Sequence, residues 1–149
     1  MTEKEERKGG IVIWHPSNVY ESAEIGKNVS IGAFTEIGDN VVIGENTRIG
    51  KGCFIPAGVV IGKDVFIGPH VTFSNDMYPP STKADWLRTF VQDGAAIGAG
   101  VCVRPGVEIG KNSLIGVGSV VIQDVPGNQV WVGNPARFLR FNKDDDEVI

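Results

Sequence analysis

The sequence predicts an all-β fold of repeated six-residue units, because an aliphatic residue followed by glycine returns at every sixth position. Eight consecutive hexads run from Ile25 to Thr72, and all eight begin with Ile while seven continue with Gly. Polar or small pairs such as Lys-Asn and Asp-Asn follow the glycine. The same register extends back to Ile13 and resumes after a gap at Ile97, so the repeat covers about two thirds of the chain.

Each hexad is predicted to hold one short strand and one corner. Alternate side chains of a strand point to opposite faces, so the leading Ile31 and the residue two before it, Val29, share the inward face. The glycine and the polar pair after it are corner residues, since Gly and Asn accept the left-handed backbone of a tight turn. Stacked units of this kind bury a continuous aliphatic column.

Composition and charge predict one domain. A chain of 149 residues with 42% hydrophobic residues can bury one core, and we divide it into a flexible N-terminus (1–10), the repeat domain (11–141) and an acidic tail (142–149). A net charge of -4 without a large Lys/Arg cluster argues against nucleic acid as a partner. The charged N-terminus and the lack of long apolar stretches predict a cytoplasmic protein without a membrane partner.

The two cysteines, Cys53 and Cys102, lack the spacing of a metal site. We place both at the inward position, two residues before the next leading residue. They are therefore interpreted as reduced core residues and not as a disulfide or as nucleophiles.

The repeat is interrupted by a predicted protruding loop at about residues 74–90, SNDMYPPSTKADWLRTF. This segment carries Tyr78, Trp86 and Phe90 together with the cations Lys83 and Arg88. It is too aromatic for a disordered linker. Loops of this length inside a compact domain are usually functional, so the interruption is the first candidate for a binding element.

His70 precedes the loop and has two interpretations. It occupies the hexad position that holds Asn28 or Asp64 in other units, and His also tolerates a left-handed corner. Its imidazole is equally suited to act as a general base near neutral pH. The other histidine, His15, lies before the regular repeats and is interpreted as structural or solvent-facing.

The repeat resembles that of hexapeptide-repeat proteins, in which three hexads close one triangular coil of a left-handed parallel β-helix. The resemblance covers nearly the whole ordered chain and implies about five to six stacked coils. Hexapeptide-repeat carbonic anhydrases hold zinc through three histidines, whereas this chain has two. No metal is therefore expected.

A more specific resemblance lies in the stretch from Gly68 to Pro79, GPHVTFSNDMYP, with GNPAR further along the chain. It is similar to nucleotide-sugar N-acetyltransferases that acetylate the 3-amino group of a UDP- or dTDP-linked amino sugar. The resemblance implies acetyl-CoA as co-substrate, a homotrimer with active sites between subunits, and a role in bacterial surface-glycan or lipopolysaccharide synthesis. We favour a dTDP-3-amino-3,6-dideoxyhexose as the acceptor, with a UDP-3-amino sugar as the other possibility.

The same resemblance implies roles for individual residues. His70 would take or relay the amine proton, and a backbone N–H after the loop would stabilise the oxyanion. The candidate substrate-binding residues are Asn75, Asp76, Tyr78 and Arg88. The candidate CoA-binding residues are four small ones, which let a pantetheine arm approach the backbone, and one cation for a phosphate: Ala96, Ala99, Gly116, Gly118 and Arg137.

Two other functions remain open from the sequence. A sugar or antibiotic O-acetyltransferase could use the same scaffold, although a hydroxyl acceptor needs a stronger base than a free amine. A non-catalytic hexapeptide-repeat scaffold could bind partners with its flat faces. The scaffold hypothesis does not explain why the histidine, the aromatic loop and the Asn-Asp pair occur together in one part of the sequence.

Overall fold

A computed structural model describes residues 2–142 of the chain, so all but Asn142 of the predicted acidic tail lies outside the described residues. The described part is all-β apart from one short 3-10 helix, η1. In chain order the elements are β1 Glu3–Arg7, β2 Ile11–His15, β3 Asn18–Val19, β4 Glu24–Ile25, β5 Ser30–Ile31, β6 Glu36–Ile37, β7 Val42–Ile43, β8 Arg48–Ile49, β9 Phe54–Ile55, β10 Val60–Ile61, β11 Phe66–Ile67, β12 Thr72–Phe73, η1 Lys83–Asp85, β13 Phe90–Val91, β14 Ala96–Ile97, β15 Cys102–Val103, β16 Glu108–Ile109, β17 Leu114–Ile115, β18 Val120–Val121, β19 Gln129–Gly133 and β20 Ala136–Phe141.

The strands form three sheets, which are the faces of a prism. Face A has the order β1-β2-β5-β8-β11-β14-β17-β19-β20, face B β18-β15-β12-β9-β6-β3, and face C β16-β13-β10-β7-β4. Within the prism every strand pairs in parallel with a strand of the coil above or below. This parallel solenoid confirms the predicted fold class. Face A passes through seven parallel levels, from β2 to β19, slightly more than the five to six coils expected.

The core is the aliphatic column predicted from the repeat. The leading residues Ile31, Ile67 and Ile97 are fully buried, and so are inward residues such as Val29 and Val71. Burial of about 25 cal/mol per Å² of apolar surface makes this column the main stabilising element.

The insertion preserves the six-residue register. Successive strands elsewhere begin six residues apart, as Phe66 and Thr72 do, whereas β13 begins at Phe90, eighteen residues after Thr72. The loop therefore adds twelve residues, or two hexads. We expected the register to resume at Ile97, but it resumes one hexad earlier at Val91, which is buried in β13.

The expectation of a flexible N-terminus is wrong for residues 3–7. They form β1, which pairs antiparallel with β2 and joins the edge of face A. The glycines at 9 and 10 have positive φ angles that close this hairpin. Glu5 adds side-chain contacts, because its carboxylate accepts from His15 Nε2 at 2.6 Å and also pairs with Arg7.

The interpretation of the cysteines is correct for Cys53 and wrong for Cys102. Cys53 is buried two residues before Ile55, and burial raises the pKa of its thiol. Cys102 lies only one residue before the leading Val103, so its side chain points outward from face B and is exposed. Neither cysteine forms a disulfide.

The two residues of β11 provide a test of the core. Ile67 is 0% exposed, whereas its neighbour Phe66 is 45% exposed on the outer surface. We expect Ile67→Ala to lower the free energy of unfolding by about 2–5 kcal/mol, because it leaves a cavity in the aliphatic column. Phe66→Ala is the matched control and should cost about 1 kcal/mol or less. Chemical denaturation measures both, and equal losses would contradict the inward and outward assignment.

Candidate active site

The candidate catalytic histidine lies on the corner that joins face A to face B. We call this corner, with Phe34, Gly52, His70, Gly100 and Gly118 at equivalent positions, the His70 corner. Backbone hydrogen bonds connect its successive levels: His70 N–H donates to Lys51 O at 2.7 Å, Gly100 N–H to Pro69 O at 2.9 Å, and Gly118 N–H to Ala99 O at 2.9 Å. The corner is thus a continuous edge along the prism.

The His70 ring is exposed and rests against glycine. His70 has φ +59°, so it does occupy a left-handed corner as one of the two interpretations requires. A Cβ added at Gly52 would lie 2.5 Å from His70 Nδ1, which means that the imidazole uses the space left by the missing side chain. No side-chain hydrogen bond or ion pair within residues 2–142 involves the ring. Its nitrogens are available to a ligand, and its role as a base stays a prediction.

On the C-terminal side of His70 the corner is open. A Cβ built at Gly100 or at Gly118 would meet no other atom within 4 Å. Ala99 is half-buried beside this track. The structure therefore places Ala99 and Gly118, two of the predicted CoA-binding residues, on one unobstructed path that leads away from His70.

The other three predicted CoA-binding residues lie elsewhere. Gly116 is needed for packing, since a Cβ there would lie 2.5 Å from Val132 Cγ1. Ala96 lies on face A in β14, away from the corner. Arg137 is exposed in β20, and its guanidinium donates to the neighbouring Ala136 O at 3.0 Å.

The loop leaves the prism at the next corner, between faces B and C. Leu87 N–H donates to Asn75 O at 2.8 Å and closes the base of the loop. The Asn75 side chain is buried and donates to Ala57 O at 3.3 Å. Arg88 Nε donates to Gly58 O at 3.1 Å, and its guanidinium lies 5.6 Å from the centre of the Phe90 ring. Asn75 and Arg88 therefore attach the loop to the prism.

Asp76 organises the loop interior. Its carboxylate accepts from Ser81 N–H at 2.8 Å and from Ser81 Oγ–H at 2.6 Å. The bonds from the Ser81 hydroxyl and backbone hold the pKa of Asp76 below its ordinary value of 3.8. Tyr78 lies beyond this contact and is 80% exposed. The described chain thus provides partners for Asp76 but none for the Tyr78 ring.

The Asp76–Ser81 contact predicts how the loop responds to acid. Because the pKa of Asp76 is depressed in the folded loop, the contact stabilises the loop fully above about pH 3.8 and is lost as the pH falls through the lowered value. We expect Ser81→Ala, which removes the hydroxyl donor, to move the pKa of Asp76 back towards 3.8, as measured by carboxyl NMR titration. Ser22→Ala, at a serine outside the loop, is the control and should leave that pKa unchanged. An unchanged pKa in Ser81→Ala would contradict the contact.

A cleft of about 350 Å³ lies between the loop and the prism. Its walls combine aromatic rings with carboxylates and one lysine: Tyr20, Glu36, Asp39, Phe54, Asn75, Lys83 and Trp86. Lys83 Nζ lies 3.5 Å from Asp39 Oδ2, so one ion pair links the loop to the prism. Tyr20 could have been noticed in the sequence, because it stands where most hexads have Gly. Phe54 and Asp39 could be found only from the stacking of the coils.

Within one chain the two groups of predicted site residues lie at different corners. His70 lies before β12, whereas Asn75, Asp76, Tyr78 and Arg88 lie after it, so the width of face B separates them. Among residues 2–142, no hydrogen bond or ion pair joins His70 to the loop. In a single copy, the His70 corner and the loop with its cleft are therefore two separate parts of the candidate site.

Residues 2–142 contain neither a metal-binding cluster nor a membrane-spanning helix. No group of three or more His, Cys, Asp or Glu side chains is arranged to hold a metal ion in this part of the chain. The described residues also include no helix that is long and apolar enough to cross a membrane.

Comparison with known proteins identifies the repeat. The family model for the bacterial transferase hexapeptide (six repeats) matches residues 40–75 and 88–123, on either side of the loop. A galactoside O-acetyltransferase from Lactococcus lactis is 46% identical over 59 residues, which are 40% of this chain and 28% of that protein. A 2,3,4,5-tetrahydropyridine-2,6-dicarboxylate N-acetyltransferase from Clostridium perfringens is 38% identical over 63 residues, 40% of this chain and 27% of that protein. The chain thus spans less than a third of the length of these curated relatives.

Solved structures match a larger part of the chain. A histidine-to-alanine mutant of GDP-perosamine N-acetyltransferase from Caulobacter crescentus, in complex with CoA and GDP-perosamine, has a TM-score of 0.76 at 26% identity and covers 87% of this chain and 56% of that one. A maltose O-acetyltransferase from Clostridium difficile 630 has a TM-score of 0.73 at 28% identity and covers 83% and 72%. AntD, an N-acyltransferase from Bacillus cereus in complex with dTDP and 3-hydroxybutyryl-CoA, shares the fold at 20% identity with a TM-score of 0.79, covering 90% and 81%. The chain therefore carries the bacterial transferase hexapeptide repeat over residues 40–75 and 88–123, and its β-helix is similar to those of solved acetyltransferases.

Proposed function

We propose that the protein is an acetyl-CoA-dependent N-acetyltransferase that acetylates the 3-amino group of a nucleotide-linked amino sugar. A dTDP-3-amino-3,6-dideoxyhexose is the favoured acceptor and a UDP-3-amino sugar the other one, for cytoplasmic synthesis of a bacterial surface glycan. The observation that carries the proposal is the exposed, unpartnered His70 ring at the end of an open track along the corner. The similarity to GDP-perosamine N-acetyltransferase supports an amino-sugar acceptor.

The corner fits the pantetheine arm of acetyl-CoA. Gly100 and Gly118 leave the backbone uncovered on the C-terminal side of His70, so a slender chain can lie against it. Ala99 adds only a methyl group to this path. Arg137 is the proposed partner of a CoA phosphate, while Ala96 and Gly116 lie off the path and are proposed only as parts of its surroundings.

The chemistry proposed for His70 is proton transfer. Acetyl-CoA supplies a thioester whose carbonyl carbon is attacked by the unprotonated sugar amine. The new C–N bond replaces the C–S bond, and CoA leaves as a thiolate that takes up the proton lost by the amine. His70 accepts or relays the proton that the amine loses, and no covalent bond to the protein is needed. The buried Cys53 is unsuited to covalent catalysis, because burial raises the pKa of its thiol. The catalytic roles proposed for the chain are therefore a proton acceptor at this corner and a backbone N–H that stabilises the oxyanion.

A homotrimer is proposed to complete the site. In one copy the loop and His70 lie on opposite sides of face B, so the loop of one copy would face the His70 corner of its neighbour. The cleft beneath the loop offers aromatic rings for a sugar ring and the carboxylates of Glu36 and Asp39 for its hydroxyl groups. Asn75, Asp76, Tyr78 and Arg88 would then act on the acceptor mainly by shaping and holding the loop.

O-acetyl transfer to a sugar is the second candidate. Two similar proteins favour this candidate: the galactoside O-acetyltransferase from Lactococcus lactis and the maltose O-acetyltransferase from Clostridium difficile. Both are named for transfer of an acetyl group to oxygen. Transfer to oxygen needs a stronger base than transfer to a free amine. The His70 ring has no carboxylate partner within the described chain, which favours the amine.

The release of CoA thiol from acetyl-CoA tests the proposed function. The acceptor panel contains dTDP- and UDP-linked 3-amino sugars, the corresponding 3-hydroxy sugars, and free galactoside and maltose. We expect turnover with an amino sugar, with a product that is acetylated on nitrogen by mass spectrometry. Turnover only with hydroxyl acceptors would establish the second candidate, and no turnover with any acceptor would favour the non-catalytic scaffold.

A further inference from the structure

Phe34 is an exceptional residue of the His70 corner. It has φ +62°, a left-handed conformation that is rare for a bulky side chain, while the other non-glycine residues with positive φ are Asn, Asp or His. Its ring is also 66% exposed, so burial does not offset the strain. Strained residues that are kept without a packing benefit cluster at binding sites.

Phe34 lies on the N-terminal side of His70, two coils away. At a strand spacing of about 4.8 Å, the two residues are roughly 10 Å apart along the prism axis. Gly52 lies between them, and the His70 imidazole occupies the space that a side chain at Gly52 would fill, so the ring faces the Phe34 side of the corner. Because the track over Gly100 and Gly118 runs the other way, the N-terminal half of the corner remains for the acceptor.

A cavity of about 240 Å³ adjoins this half of the corner. It is lined by Thr2, Trp14, Gly32, Ala33 and Lys51. Ala33 directly precedes Phe34, and Lys51 is bonded through its carbonyl to the His70 backbone. Trp14 is 41% exposed, so a second aromatic ring borders the same opening.

Lys51 is the cation of this opening. It is exposed, and none of the ion pairs found among residues 2–142 includes it. None of the described residues that line the cavity carries a carboxylate. An aromatic surface beside an uncompensated lysine is suited to a planar base linked to phosphate groups, since aromatic rings stack on bases and ammonium groups bind phosphate oxygens.

We propose that the nucleoside diphosphate of the acceptor binds at the N-terminal half of the His70 corner, where Phe34 and Trp14 hold the base and Lys51 binds the diphosphate. The inference rests on the proposed function, because it takes a nucleotide-linked acceptor as given. It adds the position of the nucleotide and three residues that determine affinity for it. His70 then separates the nucleotide half of the corner from the CoA half.

The variant Phe34→Asn tests the aromatic contact without harming the fold. Asn28, Asn40 and Asn46 hold equivalent corners with φ near +60°, so Asn relieves the strain at position 34. We expect the melting temperature to stay the same or to rise, while the KM for the acceptor increases about tenfold through loss of base stacking. The kcat and the KM for acetyl-CoA should change by less than about twofold, and Phe34→Tyr should restore the acceptor KM.

The variant Lys51→Ala tests the phosphate contact by calorimetric binding of dTDP and dTMP to the full chain. We expect the unaltered protein to prefer dTDP by about tenfold and Lys51→Ala to lose that preference, because the contact to the second phosphate is gone. Lys27→Ala is the control, since Lys27 has the same place in its hexad but lies on the corner between faces C and A. It should bind both nucleotides normally.

Three outcomes would overturn the inference. They are no binding of dTDP or UDP by the unaltered protein, normal dTDP binding by both Phe34→Asn and Lys51→Ala, or loss of binding in Phe34→Asn together with dissociation of the oligomer in sedimentation. The last result would make Phe34 a subunit contact. Nucleotide binding that depends on Phe34 and Lys51 without turnover of any amino sugar would support the inference and refute the proposed function.

Discussion

Replacement of His70 by alanine is expected to lower kcat by at least about tenfold. A general base typically contributes about 10²- to 10⁴-fold to the rate of a reaction. The ring is exposed and makes no side-chain hydrogen bond in the described chain, so its removal should not affect packing. Steady-state rates with acetyl-CoA and an amino-sugar acceptor measure the effect.

His70→Asn is the matched control for the corner. Asn adopts the same left-handed conformation at Asn28 and Asn40, so this variant keeps the backbone and lacks only the basic nitrogen. We expect the same loss of rate with an unchanged melting temperature. Normal rates in both variants would make His70 a corner residue only, which was the other interpretation of the sequence.

Gly118→Asn is expected to raise the KM for acetyl-CoA by about tenfold or more, because the new side chain fills the track that the pantetheine arm needs. The fold should tolerate it, since φ at this position is +71° and a Cβ would meet no atom within 4 Å. Asn is also the residue that most readily accepts this conformation. Initial rates at varied acetyl-CoA and thermal melting measure the two effects.

Gly9→Asn is the control for an added side chain. Gly9 has φ +87° in the N-terminal hairpin, and a Cβ there would come within 3.5 Å of Lys27 Cγ without touching the His70 corner. Its KM for acetyl-CoA should equal that of the unaltered protein. An equal KM in Gly118→Asn would show that the acyl donor does not follow the corner.

The regular part of the fold could be predicted because one local rule repeats. An inward Ile and a left-handed Asn or Gly each fix their own position, as Ile67 and Asn46 do. Cys102 shows how narrow the rule is, since a displacement of one residue along a strand reverses the face. The cysteine is exposed although its neighbour Val103 is buried.

The N-terminal hairpin could not be predicted from its own residues. The sequence EKEER has no apolar alternation, and β1 exists because β2 offers an unpaired edge of face A. Its stability comes from backbone pairing and from contacts such as Glu5 with His15, which a periodicity argument does not detect. Charged edge strands of this kind also discourage pairing with other chains.

The candidate site was predictable in its parts and not in its arrangement. His70 and the loop are close in the sequence, yet they lie at two adjacent corners of the prism, separated by the width of face B. Asn75 and Asp76 also make hydrogen bonds within the chain, to Ala57 and Ser81, that the sequence pattern does not reveal. Phe34 lies in a hexad that begins with Ile-Gly like its neighbours, so the repeat pattern does not single it out. Its positive φ angle in the structure does.

A crystal structure of the protein with bound CoA would show directly whether the acyl donor follows the His70 corner to the imidazole. We expect the pantetheine arm to lie over Gly100 and Gly118, with the thiol sulfur beside the His70 ring. CoA bound along face C, or in the cleft under the loop with its thiol remote from His70, would contradict it.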